Sequence, residues 1–145
     1  MNIIKTLFFV IFILFSCSND KSDIIPIDSP KSFSVLGYCT PAPEGSVNAK
    51  YSILNRTIAQ VNFNYNNINY NYRASKKLED ILSLYNNLNN YKNYIDEEAN
   101  INIMMQTNNE EYIAYWNINN IYYCLSSKYE NGIYDLCSIL IKNKS

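Results

Sequence analysis

The sequence predicts an α+β fold: an antiparallel β-sheet of about five to seven strands, a C-terminal helix packed on one face, and a second short helix. Three stretches carry this reading. Residues 61–72 alternate apolar side chains with asparagine on either side of Asn66-Asn67. Residues 112–126 repeat the pattern with Tyr, Trp and Ile. Ile133, Leu136, Cys137, Leu140 and Ile141 then recur at i, i+3, i+4, i+7 and i+8, the stripe of an amphipathic helix. A sheet with one apolar face must bury it, and this stripe is the complementary surface.

Taken in order, Phe33–Tyr38 reads as a first short strand. Pro41–Gly45 reads as a turn or an extended segment, because proline fixes φ and Gly45 permits positive φ. Tyr51–Leu54 is a further strand. In the first hairpin, asparagine tolerates the left-handed conformation, so Asn66-Asn67 suits a two-residue turn. That turn pairs 65 with 68, 63 with 70 and 61 with 72. Val61, Phe63, Tyr65, Ile68, Tyr70 and Tyr72 then share one face, and Asn62, Asn64, Asn69 and Asn71 share the other. Arg73 falls on the polar side, opposite Gln60. Ser75–Leu88 changes period: Leu78, Ile81, Leu82, Tyr85 and Leu88 lie on one helix face, with Ser75 as N-cap and the Asn-rich 86–90 segment as the stop. Ile101–Gln106 reads as a strand. The second hairpin joins Tyr112–Trp116 to Ile121–Ser126, placing Ala114, Trp116, Tyr123 and Leu125 on one side and Ile113, Tyr115, Tyr122 and Cys124 on the other. The last helix is expected to cover the Trp116 face. Cys137 would lie between helix and sheet, with Cys124 turned away.

The chain divides into a leader (1–16), a flexible polar tether carrying Pro26 and Pro30 (17–32), and a single α+β domain (33–145). Lys5 precedes an apolar run from Leu7 to Phe15, too short for the roughly 20 apolar residues of a membrane-spanning helix. Leu14-Phe15-Ser16-Cys17 resembles the lipobox of bacterial lipoproteins: an aliphatic residue, a variable one, a small one, then cysteine. Phe15 departs from the pattern in being large. The resemblance implies cleavage before Cys17, a diacylglyceryl group on its thiol, and acylation of the new amino group. Two or more acyl chains anchor stably where one binds marginally. The expected location is the cell envelope, lipid-anchored to the outer or cytoplasmic membrane, with the domain outside the cytoplasm.

The net charge of -1, with both signs interspersed, argues against a nucleic-acid partner. The asparagines are interleaved with strand-forming residues and match the codon bias of an AT-rich genome, so they do not read as a prion-like tract. Cys39, Cys124 and Cys137 remain once Cys17 is acylated, which permits at most one disulfide; Cys39–Cys124 is the favoured pair. Without histidine or a CxxC pair, a structural zinc site is not expected.

The order of Pro43-Glu44-Gly45, Ala59-Gln60-Val61, Tyr72-Arg73, Asp80-Ile81 with Tyr85, Trp116, and Tyr123 with Leu125 and Ser126 resembles an uncharacterised domain family of bacterial exported proteins and lipoproteins. Leu82-Ser83 replaces the Ser-Gly usual there, which suits the helix reading. The resemblance implies a sheet-plus-helix domain outside the cytoplasm, of a kind found on membrane-anchored regulators such as anti-sigma factors. It implies no catalytic residues.

Asp96-Glu97-Glu98 and Glu110-Glu111 offer oxygen atoms but lack the alternation and glycine of an EF-hand, so they read as solvated loop charge and no metal is expected. Arg73 is a candidate for carboxylate or phosphate binding through its planar fork. Ile113, Tyr115, Tyr122 and Cys124 form an apolar, aromatic strip opposite the core helix, the best candidate surface for a protein or glycan ligand, unless the 76–88 segment or Phe33–Tyr38 covers it. No recognisable nucleophile, phosphate loop or cofactor motif points to an enzyme. The expectation is an envelope lipoprotein with a non-catalytic binding domain. A sensory or regulatory accessory domain is the alternative, and a hydrolase is less favoured.

Overall fold

Left-handed turns organise the chain, and asparagine makes them. Among the described residues, nine non-glycine positions have positive φ; eight are asparagine and the ninth is Arg56. The whole sequence holds only three glycines, so asparagine takes the role glycine usually fills at tight turns. Asn66-Asn67 and Asn119-Asn120, each with both residues left-handed, close the two central hairpins.

The computed structural model describes residues 22–144. The leader, the lipobox and Cys17 lie outside the described residues. The strands are β1 (Ile24–Ile27), β2 (Val47–Leu54), β3 (Ile58–Tyr65), β4 (Ile68–Ser75), β5 (Asn89–Asp96), β6 (Ile101–Thr107), β7 (Tyr112–Ile118) and β8 (Ile121–Ser127). Two α-helices, α1 (Leu78–Leu82) and α2 (Ile133–Lys142), and a 3₁₀ turn at Pro30–Val35 complete the elements. All eight strands form one antiparallel sheet in the order β1-β2-β3-β4-β8-β7-β6-β5. The sheet is thus two four-stranded meanders, spliced where β4 pairs with β8 and linked through α1.

The two hairpin registers agree with the pattern of the sequence. Tyr65 pairs with Ile68, Phe63 with Tyr70, Val61 with Tyr72 and Gln60 with Arg73. Ile118 pairs with Ile121 and Trp116 with Tyr123. The apolar faces meet α2, whose Ile133, Leu136, Cys137, Leu140 and Ile141 are buried against Val61, Phe63, Tyr72, Trp116 and Leu125. Each large side chain so buried contributes about 1.5–3 kcal/mol. Tyr72, Trp116 and Tyr123 stack at centroid separations of 6.0–6.1 Å beneath the helix.

Four expectations need correction. The sheet has eight strands rather than five to seven. Phe33–Tyr38 is not a strand: Pro30 starts a 3₁₀ turn that drops Phe33 into the core. The 17–32 segment is not all tether, because Ile24–Ile27 pairs with Leu54–Tyr51 at the sheet edge. Strand β5 has no signature in the sequence because its side chains are nearly all exposed, so no in-out alternation exists, and a register shift between Asn90 and Lys92 breaks the rest. The expected 75–88 helix is only one turn and a half. Ser75 is buried in β4, and its hydroxyl accepts the Lys77 N–H rather than capping the helix. Beyond Leu82, irregular turns lead to Asn87, which is left-handed, yet Tyr85 and Leu88 still face the sheet.

Candidate functional site

The sheet face away from α2 is where polar and apolar side chains mix. The segment from α1 to Leu88 crosses it and seals a small second cluster of Ile81, Ile113 and Cys124, with Tyr115 and Tyr122 packed at its margin. The expected strip is therefore divided. Ile113 is fully buried and offers no surface. Tyr115 and Tyr122 stay partly exposed and, with Met104, line a groove of about 320 Å³ rimmed by Asn102 and Asn117.

Arg73 is not an open anion site. Its Nε donates to Gln60 Oε1 at 2.7 Å, an Nη1 hydrogen goes to the Tyr85 hydroxyl, and its guanidinium lies 5.1 Å from the Tyr85 ring centre. The cross-strand pairing of Gln60 with Arg73 sets the first contact. Gln60 in turn donates from Nε2 to Ser52 Oγ at 3.2 Å. On the other side, Tyr85 O–H donates to Ser126 Oγ at 3.1 Å. A polarised chain runs from Arg73 to Tyr85 to Ser126, with both donors pointing the same way, and the Arg73 charge and the Ser126 hydroxyl both pull the Glu111 carboxyl down. Such chains reinforce themselves in a low-dielectric setting.

Glu111 corrects the loop-charge reading, since it is half-buried. Burial raises its carboxyl above the ordinary value, against the lowering pull of Arg73 and of the Ser126 hydroxyl. Its main chain is held as well: Asn108 Oδ1 accepts the N–H groups of Glu110 and Glu111, each at 2.9 Å. Burial also drives the Tyr85 hydroxyl up and pushes the Cys124 thiol up to about 11. Asp96 and Glu98 act elsewhere. Asp96 Oδ1 accepts the Ala99 N–H at 2.8 Å and Glu98 pairs with Lys142.

No disulfide forms among Cys39, Cys124 and Cys137. Cys39 packs on the α2 side of the sheet and Cys124 on the other, so the Cys39–Cys124 pair is ruled out by the sheet between them. Lys144 Nζ donates to the Cys39 carbonyl at 2.8 Å and lies 3.6 Å from its sulfur.

Gln60 was legible as the partner of Arg73 from the hairpin register. Tyr85 was legible only as an apolar helix position, and Glu111 only as a charge. Their association crosses the β4–β8 splice, for which the sequence carries no local signal. Comparison with models of known families, with curated proteins and with solved structures yields no match to this chain. Among the described residues no helix is long and apolar enough to cross a membrane.

Proposed function

We propose that this chain is an envelope lipoprotein, held to its membrane through acyl groups on Cys17, whose small domain is a non-catalytic binding module. The observation that carries the reading of the domain is the groove of Met104, Tyr115 and Tyr122 on the face opposite α2. A thioether and two aromatic rings favour an apolar side chain of a protein partner. Both tyrosines combine an apolar ring with a polar tip, the composition common at interfaces. The anchor rests on the leader, Ser16-Cys17 and the apolar run before them.

Photo-crosslinking in intact cells tests the module. A benzophenone residue at position 122 is expected to give a protein adduct that is absent when the same residue stands at exposed Lys50. Equal labelling at the two positions would overturn the groove as a docking site. Fractionation tests the anchor separately: Cys17→Ala is expected to lose palmitate labelling and leave the membrane fraction.

A further inference from the structure

We propose that Glu111 anchors a second binding site, for a neutral polyhydroxyl ligand such as a glycan segment. The site goes beyond the groove described above and lies at the other end of β7. Glu111 immediately precedes the strand, whereas the groove takes in Asn117 near its end, roughly 20 Å away at about 3.4 Å per residue.

Two cavities open on Glu111 and share it as a wall. One, of about 240 Å³, lies against Tyr85 and the amide-rich turns of residues 86–89 and 108–109. The other, of about 360 Å³, lies against Asn69, Asn71, Lys128 and Tyr129. Glu111 thus serves both spaces, and the larger is of a size suited to small ligands, whose sites run to about 300–1,000 Å³.

The chemistry of the walls selects the ligand. Asparagine amides pair a donor with an acceptor, as the vicinal hydroxyls of a sugar require. A carboxylate accepts from two hydroxyls at once through charge-assisted hydrogen bonds, which are about twice as strong as neutral ones. Tyr85 lines the first cavity and Tyr129 the second, and Tyr129 is 62% exposed, a ring free to take the C–H face of a pyranose. The walls carry charge of both signs, Glu110 and Glu111 against Lys128, so an anion or a cation meets repulsion as well as attraction, whereas a neutral hydroxyl can pair with either. Among the described residues no group of three or more His, Cys, Asp and Glu side chains is placed to hold a metal ion.

The backbone that carries the carboxylate is set in place beforehand. Asn108 Oδ1 accepts the Glu111 N–H, and the Glu111 carbonyl accepts from the Thr107 hydroxyl and the Asn108 N–H. A binding group on a fixed backbone loses less freedom when the ligand arrives. Asn71 is the cross-strand neighbour of Ser126, whose hydroxyl acts on the Glu111 carboxyl, so strands β4 and β8 bring the amide wall toward it.

The test titrates the full-length lipidated protein, in a non-glycosidic detergent, with maltoheptaose and chitohexaose by isothermal calorimetry. At least one oligosaccharide is expected to bind. Glu111→Gln is expected to weaken it at least about tenfold while the melting transition stays cooperative. Tyr129→Ala, a change at an exposed ring, is expected to weaken it several-fold, and Tyr122→Ala to leave it unchanged. No heat with either sugar up to about 10 mM, or equal affinity in Glu111→Gln, would overturn the proposal. Loss of sugar binding in Tyr122→Ala would overturn it too, by moving the sugar to the other groove.

Discussion

The two faces of the sheet are built on opposite terms. Beneath α2 the core is apolar and continuous, filled by Val61, Phe63, Tyr72, Trp116, Leu125 and the helix stripe. Beneath α1, Ile81, Ile113 and Cys124 form a small dry cluster, and the area beside it is a hydrogen-bonded chain from Gln60 through the Arg73 cation and Tyr85 to Ser126, with the half-buried Glu111 nearby. The first face holds the fold together. The second holds side chains in fixed positions beside cavities. The difference teaches that a dry core and a polar face with cavities can be divided across the thickness of one sheet.

Removing core volume is the strongest way to break that division. Leu136→Ala on α2 is expected to cost about 3 kcal/mol, read as a shift of the urea midpoint, because transfer and cavity terms add at a buried site. Ile81→Ala is expected to cost about 2 kcal/mol, since its short, irregular cover can settle into the gap. Equal losses would mean that both faces are load-sharing cores.

Arg73→Met comes next. It keeps much of the stem but leaves Gln60 Oε1 and the Tyr85 hydroxyl without their donor, an expected loss of about 2 kcal/mol. Met is preferred to Ala here because the long stem also packs.

Two carboxylates sharpen the comparison through pH. Asp96 is held below its ordinary 3.8, first by the Ala99 N–H and then by the Ser138 hydroxyl. Its contribution is present above that ordinary value and is lost as pH falls through the lowered folded one. Glu111 is the reverse. Burial raises it above its ordinary 4.5, so its contribution is full below 4.5 and is lost as pH rises through the folded value. At pH 7, Asp96→Asn is therefore expected to destabilise by about 1 kcal/mol. Glu111→Gln is expected to stabilise by less than about 1 kcal/mol, because a half-exposed charge is partly screened. Melting curves from pH 7 to pH 3 should show both differences fading as the native carboxylates protonate. A destabilised Glu111→Gln at pH 7 would place Glu111 among the structural charges.

Thiol labelling gives the smallest perturbation and a clear contrast. Cys124 and Cys137 are buried, with thiols driven above their ordinary 9.0, whereas Cys39 is partly exposed. A maleimide is expected to modify Cys39 in the folded domain, and Cys124 and Cys137 only after unfolding. Rapid labelling of Cys124 would show that the cover over Ile113 opens.

The sequence alone determined whatever depends on neighbours along the chain. Alternation at 61–65 and 68–72, with Asn66-Asn67 between, specified the hairpin and its register, because a one-residue slip would turn every apolar side chain to water. The same argument placed Trp116 and Tyr123 on the face that meets the stripe of α2. Tertiary structure decided whatever depends on partners far along the chain. Strands β1 and β5 exist only by pairing at an edge, where exposed side chains leave no periodic trace. The packing of the 37–40 segment on the α2 side set Cys39 apart from Cys124, and the β4–β8 splice joined residues 73, 85 and 126 into one polar chain. Those three positions share no spacing and no local pattern. Their meeting follows from sheet order, which is a balance of burial over the whole domain.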